Sequence, residues 1–132
     1  MDRALTEQLR AAMPLAATLG LELVAAAPEE VRARLAHRDD LTTAGGVLHG
    51  GTLMALADGA GAYCAFLNLP AGSGGTATIE SKTNFFRAVP GGHVHSVSRP
   101  LHVGRTTIVV ETDLFDDEER RVARVTQTQA VL

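Results

Sequence analysis

Val47–Leu69 reads VLHGGTLMALADGAGAYCAFLNL. Leaving His49 aside, its single acidic or basic residue is Asp58. A stretch this long and apolar is enough to cross a bilayer. An unpaired carboxylate at mid-membrane is costly, however, and Gly50, Gly51, Gly59, Gly61, His49 and Asn68 dilute the run. The reading that fits is a helix over 50–67 buried in protein rather than lipid, apolar around most of its circumference. Such a helix needs cover on most sides, and the flanking sequence supplies it.

Upstream, Leu5, Leu9, Ala12, Met13, Ala16 and Leu19 recur at helical spacing over residues 2–19, with Pro14 interrupting or restarting the helix. Two short strands are expected at 21–27 and 30–36, split by Pro28-Glu29, and a polar loop at 37–48. Downstream, Pro70, Gly72, Ser73, Gly74 and Gly75 close the helix. Strands are then expected at 76–86, 93–103, 105–115 and 121–131, broken at Pro90-Gly91-Gly92, at Gly104 and at the charged turn Asp116–Glu119. Their close spacing favours antiparallel neighbours joined by hairpins. The pattern predicts an α+β fold in which a curved antiparallel sheet wraps one long central helix.

The length of 132 residues suits one domain over 1–132. With 45% hydrophobic residues and a formal net charge of -3, the chain is neither disordered nor suited to nucleic acid, which needs clustered Lys and Arg. Cys64 is the single cysteine, so no intramolecular disulfide can form. A reducing, cytoplasmic location is expected, since the N-terminus carries no signal-peptide pattern. His93 and His95 share a strand face but have no third ligand at useful spacing, so no metal site is expected. Ser73 and Ser81 lack a nucleophile-elbow context. Cys64 reads as helix packing, and Asp116–Glu119 as a solvated turn.

Two features of the helix carry chemistry. Asp58 has Met54, Ala55, Gly61 and Ala62 as its neighbours at three and four residues, mostly small side chains that allow close approach. Periodicity alone leaves open whether Asp58 is reactive or a structural carboxylate bonded to nearby backbone. The second feature is His49-Gly50-Gly51 at the helix start. The first N–H groups of a helix lack internal partners and carry partial positive charge. Glycines there let a ligand oxygen approach, as an oxyanion hole requires, although a plain glycine-rich cap reads the same way. Gly50 and Asp58 are eight residues apart, hence roughly 12 Å along one helix. One reacting carbonyl cannot touch both. If both act, they come from different protomers with antiparallel helices, in a homodimer with two equal, shared sites.

His49-Gly50-Gly51, an apolar stretch and then Asp58 nine positions after the histidine resemble the hotdog-fold thioesterases of the phenylacetate-degradation and hydroxybenzoyl-CoA type. Gly46-Val47-Leu48, the strand Thr76–Ala88, Gly91-Gly92 and Val103-Gly104-Arg105 match in order and spacing, so the resemblance covers about residues 15–132. It implies a hotdog fold and hydrolysis of an aromatic or medium-chain acyl-CoA without a cofactor. It further implies Asp58 as nucleophile or general base, and the Gly50 N–H as donor to the thioester oxygen. His49 would orient the thioester or the start of the helix, and the Thr78 hydroxyl would lie near the carboxylate. Gly51 and the segment His102, Gly104 and Arg105 would contact substrate, the latter along the CoA arm. Thr43, six residues before His49, stands where many relatives carry Asn or Gln; a hydroxyl can still donate there. A dimer of dimers is expected, which the residues do not distinguish from the dimer alone. A hotdog hydratase or dehydratase and a non-catalytic acyl-CoA binding module are the competing readings. The first would need a longer hydration motif; the second usually brings a partner-binding segment.

Overall fold

The computed structural model describes residues 1–132. In chain order it contains α1 (Arg3–Ala12), α2 (Pro14–Leu19), β1 (Glu22–Ala27), β2 (Glu30–Ala36), α3 (Gly50–Leu67), β3 (Thr76–Phe85), β4 (His93–Val103), β5 (Thr107–Phe115) and β6 (Arg121–Val131). Local chemistry sets the breaks. The Asp2 carboxylate accepts from the Leu5 N–H at 3.0 Å and caps α1. Pro14 opens α2 at a position where a missing N–H costs nothing, and Gly20, at φ 75°, ends it in the left-handed region.

One six-stranded antiparallel sheet runs in the order β1-β2-β4-β5-β6-β3. It wraps α3, which touches every strand. Leu53, Leu56, Ala57, Ala60, Cys64 and Ala65 are buried against inward residues such as Leu23, Leu35, Val94, Ile108, Val110 and Val125. Each fully buried leucine or valine stabilises the fold by about 1.5–3 kcal/mol. This is a hotdog fold, as expected.

Three details differ from the sequence reading. β3 forms no hairpin with β4; it sits at the far edge beside β6, and β2 takes the place next to β4. The chain between β3 and β4 passes the start of α3, where the Leu48 N–H donates to the Val89 carbonyl at 2.9 Å. Strands from both sides of the helix in sequence thus share one sheet around it. Within 37–48, Asp39–Leu41 forms a 3-10 turn and Thr42 bridges Leu48, because Leu41 and Leu48 are buried. In the charged turn, the Asp116 carboxylate is buried and accepts from the Glu118 and Arg120 N–H groups at 2.9 Å, so this residue builds the turn from inside.

The sheet leaves part of α3 bare. Gly51, Met54 and Asp58 are exposed three and four residues apart, and Phe66, two turns beyond Asp58, continues the same stripe past the half-buried Ala62. The neighbouring edge strand is bare as well, with Ile79 62% and Phe85 50% exposed. β3 also carries an irregularity: Thr78 pairs with Gln129 and Glu80 with Thr128, leaving Ile79 as an extra, bulged residue. No helix is long and apolar enough to cross a membrane.

Candidate active site

At the middle of the exposed stripe, Asp58 Oδ1 accepts a hydrogen bond from the Thr78 hydroxyl at 3.1 Å. Both residues are exposed. The other carboxylate oxygen makes no hydrogen bond within the chain, and no cation pairs with it. Asp58 is thus reachable and oriented from one side by a hydroxyl.

The helix start holds a second, complementary group. His49 is the N-cap, and its Nδ1 accepts from the Gly51 N–H at 2.8 Å. A ring nitrogen that accepts carries no proton, so a neutral His49 holds its proton on Nε2. The Thr52 and Leu53 N–H groups both donate to the His49 carbonyl, at 2.9 and 3.2 Å. The Gly50 N–H alone among these has no acceptor in the chain. It carries the positive end of the α3 dipole. Gly50 opens onto a cavity of about 320 Å³ lined by Leu48, Leu53, Phe85, Phe86, Arg87 and Ala88. A Cβ at Gly50 would stand 3.2 Å from Phe85 Cζ, so the glycine keeps that approach open.

The expected site residues therefore fall into two groups within one chain. Asp58 and Thr78 form one. The hairpin of His102, Gly104 and Arg105 lies at the same end of the sheet, since the Thr106 carbonyl accepts from the Val131 N–H at 2.9 Å and Val131 pairs with Thr76. Gly104 is tightly held there, its N–H donating to the Thr107 carbonyl at 2.8 Å; Arg105 is exposed. The other group is His49, Gly50 and Gly51, with Thr43 in the exposed loop before them, its N–H bonded to the Val47 carbonyl at 2.9 Å. The Gly51 N–H is already committed to His49, so of the pair only the Gly50 N–H is left free. The two groups do not meet within one chain.

A second cavity, of about 390 Å³, lies between α1 and α3 on the Asp58 side, lined by Leu9, Met13, Ala62, Tyr63, Phe66 and Thr76 among others. Ala62 follows Asp58 by one helical turn, and Thr76 precedes Thr78 by two residues. Sequence reading missed this role of α1. It also missed Gln127 and Gln129, which are buried beneath Thr78: Gln129 Nε2 donates to the Thr78 hydroxyl oxygen at 2.7 Å. Their alternation on β6 was legible, but an inward-facing glutamine pair looks the same in sequence as an outward one.

A six-stranded antiparallel sheet wrapped round one long helix is the hotdog architecture. The comparisons with known proteins make this particular. Residues 45–123 match the family model described as Thioesterase superfamily, and the chain belongs to that family. It is a thioester hydrolase. A Mycobacterium tuberculosis protein provisionally named an esterase is 32% identical over 118 residues, covering 88% of this chain and 84% of that one. A proofreading thioesterase of Cronobacter sakazakii is 34% identical over 87 residues, 66% of this chain and 63% of its own length. Among solved structures, a glutamine-to-alanine variant of a Pseudomonas aeruginosa thioesterase superposes with TM-score 0.89 at 28% identity, covering 96% of this chain and 93% of that chain.

Proposed function

We propose that this chain hydrolyses an acyl-CoA thioester to the free acid and CoA, at two sites shared across a homodimer. Asp58 of one protomer, ionised, either attacks the thioester carbonyl carbon or takes a proton from the attacking water. The Gly50 N–H of the partner holds the oxygen on which negative charge develops. The observation that carries this reading is a free carboxylate on the bare surface of α3 and a free N–H at the half-buried start of the same helix, separated along it. A second copy laid antiparallel on that stripe would cover Met54, Phe66 and the edge of β3, and would bring each half to the other.

The acyl group is proposed to enter the cavity beside Asp58, whose Tyr63, Phe66, Leu9 and Met13 favour an aromatic or medium-chain group. An Escherichia coli relative, 31% identical over 87 residues, bears the name 1,4-dihydroxy-2-naphthoyl-CoA hydrolase, which supports the aromatic choice. Arg105, exposed on its hairpin, is proposed to meet a CoA phosphate.

Thiol release from a panel of acyl-CoAs, followed with a chromogenic thiol reagent, tests the reaction. Release with a free acid product is expected. Binding without release would reassign the chain to a binding module, and water addition to an enoyl-CoA would make it a hydratase. The enzyme's own thiol will not interfere. Cys64 is buried, and burial pushes its pKa up to about 11. Native protein at pH 8 is expected to consume almost no reagent, whereas unfolded protein consumes one equivalent per chain; fast native labelling would contradict the burial.

Complementation tests the shared site. Asp58→Ala and Gly50→Pro chains, each nearly inactive alone, are mixed and allowed to exchange. Half the dimers are then mixed, with one intact site each, so about a quarter of wild-type activity should return. Confirmed exchange with no return of activity would rule the shared site out.

A further inference from the structure

We infer that Gln129, held by Gln127, is a positioning residue that sets the direction of the Thr78–Asp58 hydrogen bond. This rests on the reading of Asp58 as the reactive carboxylate. The four side chains form a chain of hydrogen bonds that begins and ends on adjacent residues of α3. The Ala57 carbonyl faces the Gln127 amide at 3.1 Å. A carbonyl only accepts, so the Gln127 group there must be its NH₂. The Gln127 oxygen then points away and meets the Gln129 amide at 2.8 Å. That contact in turn requires the Gln129 NH₂, whose second hydrogen reaches the Thr78 oxygen at 2.7 Å. Thr78 has one proton of its own and now accepts from Gln129, which leaves that proton to Asp58 Oδ1 at 3.1 Å. No amide in the series can turn over without setting two acceptors face to face.

The surroundings are built for this wiring. Gln127 and Gln129 are buried, two residues apart on β6, and share the inward face. Gly61 sits one turn beyond Ala57 and Asp58, and any side chain there would overlap the Gln127 amide. The arrangement also leaves Gln129 Oε1 buried with no hydrogen-bond partner. Unpaired buried oxygen is destabilising, and an apolar side chain would fill the space better. Packing therefore does not account for a glutamine at 129; fixing the Thr78 proton does. With Oδ1 occupied by the hydroxyl, the other Asp58 oxygen is the one presented to substrate.

Gln129→Met keeps the shape and removes the donor. It is expected to fold with an unchanged or higher Tm and to lower kcat about 10-fold or more, with KM within about 2-fold. The double-mutant cycle with Thr78→Val separates positioning from general damage. Because Gln129 acts through Thr78, the double variant should be no slower than Thr78→Val alone; additive losses would overturn the inference. If Gln129→Met does not fold, Gln127→Met serves, since it frees Gln129 to turn its oxygen toward Thr78, and the same kcat loss is expected. A folded variant of either kind with wild-type kcat also overturns it. Asp58→Asn is measured alongside. An inactive Asp58→Asn with a normal Gln129→Met defeats this inference alone, while an active Asp58→Asn defeats the reading of Asp58 on which it rests.

Discussion

Replacing Asp58 with asparagine is expected to lower kcat by about 10²-fold or more while leaving the protein folded. The amide preserves shape and can still accept the hydrogen bond from Thr78, but it neither attacks a carbonyl nor takes up a proton. Asp58 is exposed and in no ion pair, and its one internal bond is to a hydroxyl that asparagine satisfies equally. Loss of activity with an unchanged melting curve would therefore report chemistry. Turnover within about threefold of wild type would assign Asp58 a structural role instead.

Gly50→Pro is expected to cost about 10² to 10³ in turnover, the usual effect of removing one oxyanion donor. Proline deletes the one helix-start N–H that has no partner in the chain, and so breaks no existing hydrogen bond. Gly50 is the first residue of α3, where proline is well tolerated. His49 before it already lies at φ -63° and ψ 139°, the extended region that a residue preceding proline adopts. A folded dimer is thus expected by size exclusion and thermal melting. Gly50→Ala keeps the donor but sets its methyl 3.2 Å from Phe85 Cζ. Its effect should be smaller and fall mainly on KM as the ring shifts in the pocket. Near-normal turnover in a folded Gly50→Pro dimer would move the oxyanion donor elsewhere.

The helix was legible because its signals are local. Glycines at 50 and 51, a long, largely apolar run and Pro70 fix α3 at the residues expected. The strands were legible for the same reason, to within two residues, between glycine and proline breaks and the charged turn Asp116–Glu119. Strand order was not. Whether β3 pairs with β4 or β6 depends on contacts far apart in sequence, and the hairpin preference pointed to the wrong neighbour. In the site, Asp58 stood out as the only charge in its run, and Gly50 by its place at the helix start. Gln127 and Gln129 did not, since inward and outward faces of β6 differ only in what lies opposite them. Hydrogen bonding also distinguishes Gly50 from Gly51, which sequence could not: Gly51 serves His49, and Gly50 is left free.

The bulge at Ile79 changes the parity of β3. Side chains alternate faces along a strand. Thr78 and Phe85 are seven positions apart, an odd number, and in a regular strand they would point to opposite sides of the sheet. Both instead face α3, Thr78 at Asp58 and Phe85 at Gly50. The one extra residue between them restores the match. The start of the helix and its midpoint at Asp58 are thus served by a single strand only because that strand miscounts once. Any chain of this fold that straightened β3 by a single deletion would have to choose which of its two half-sites to keep.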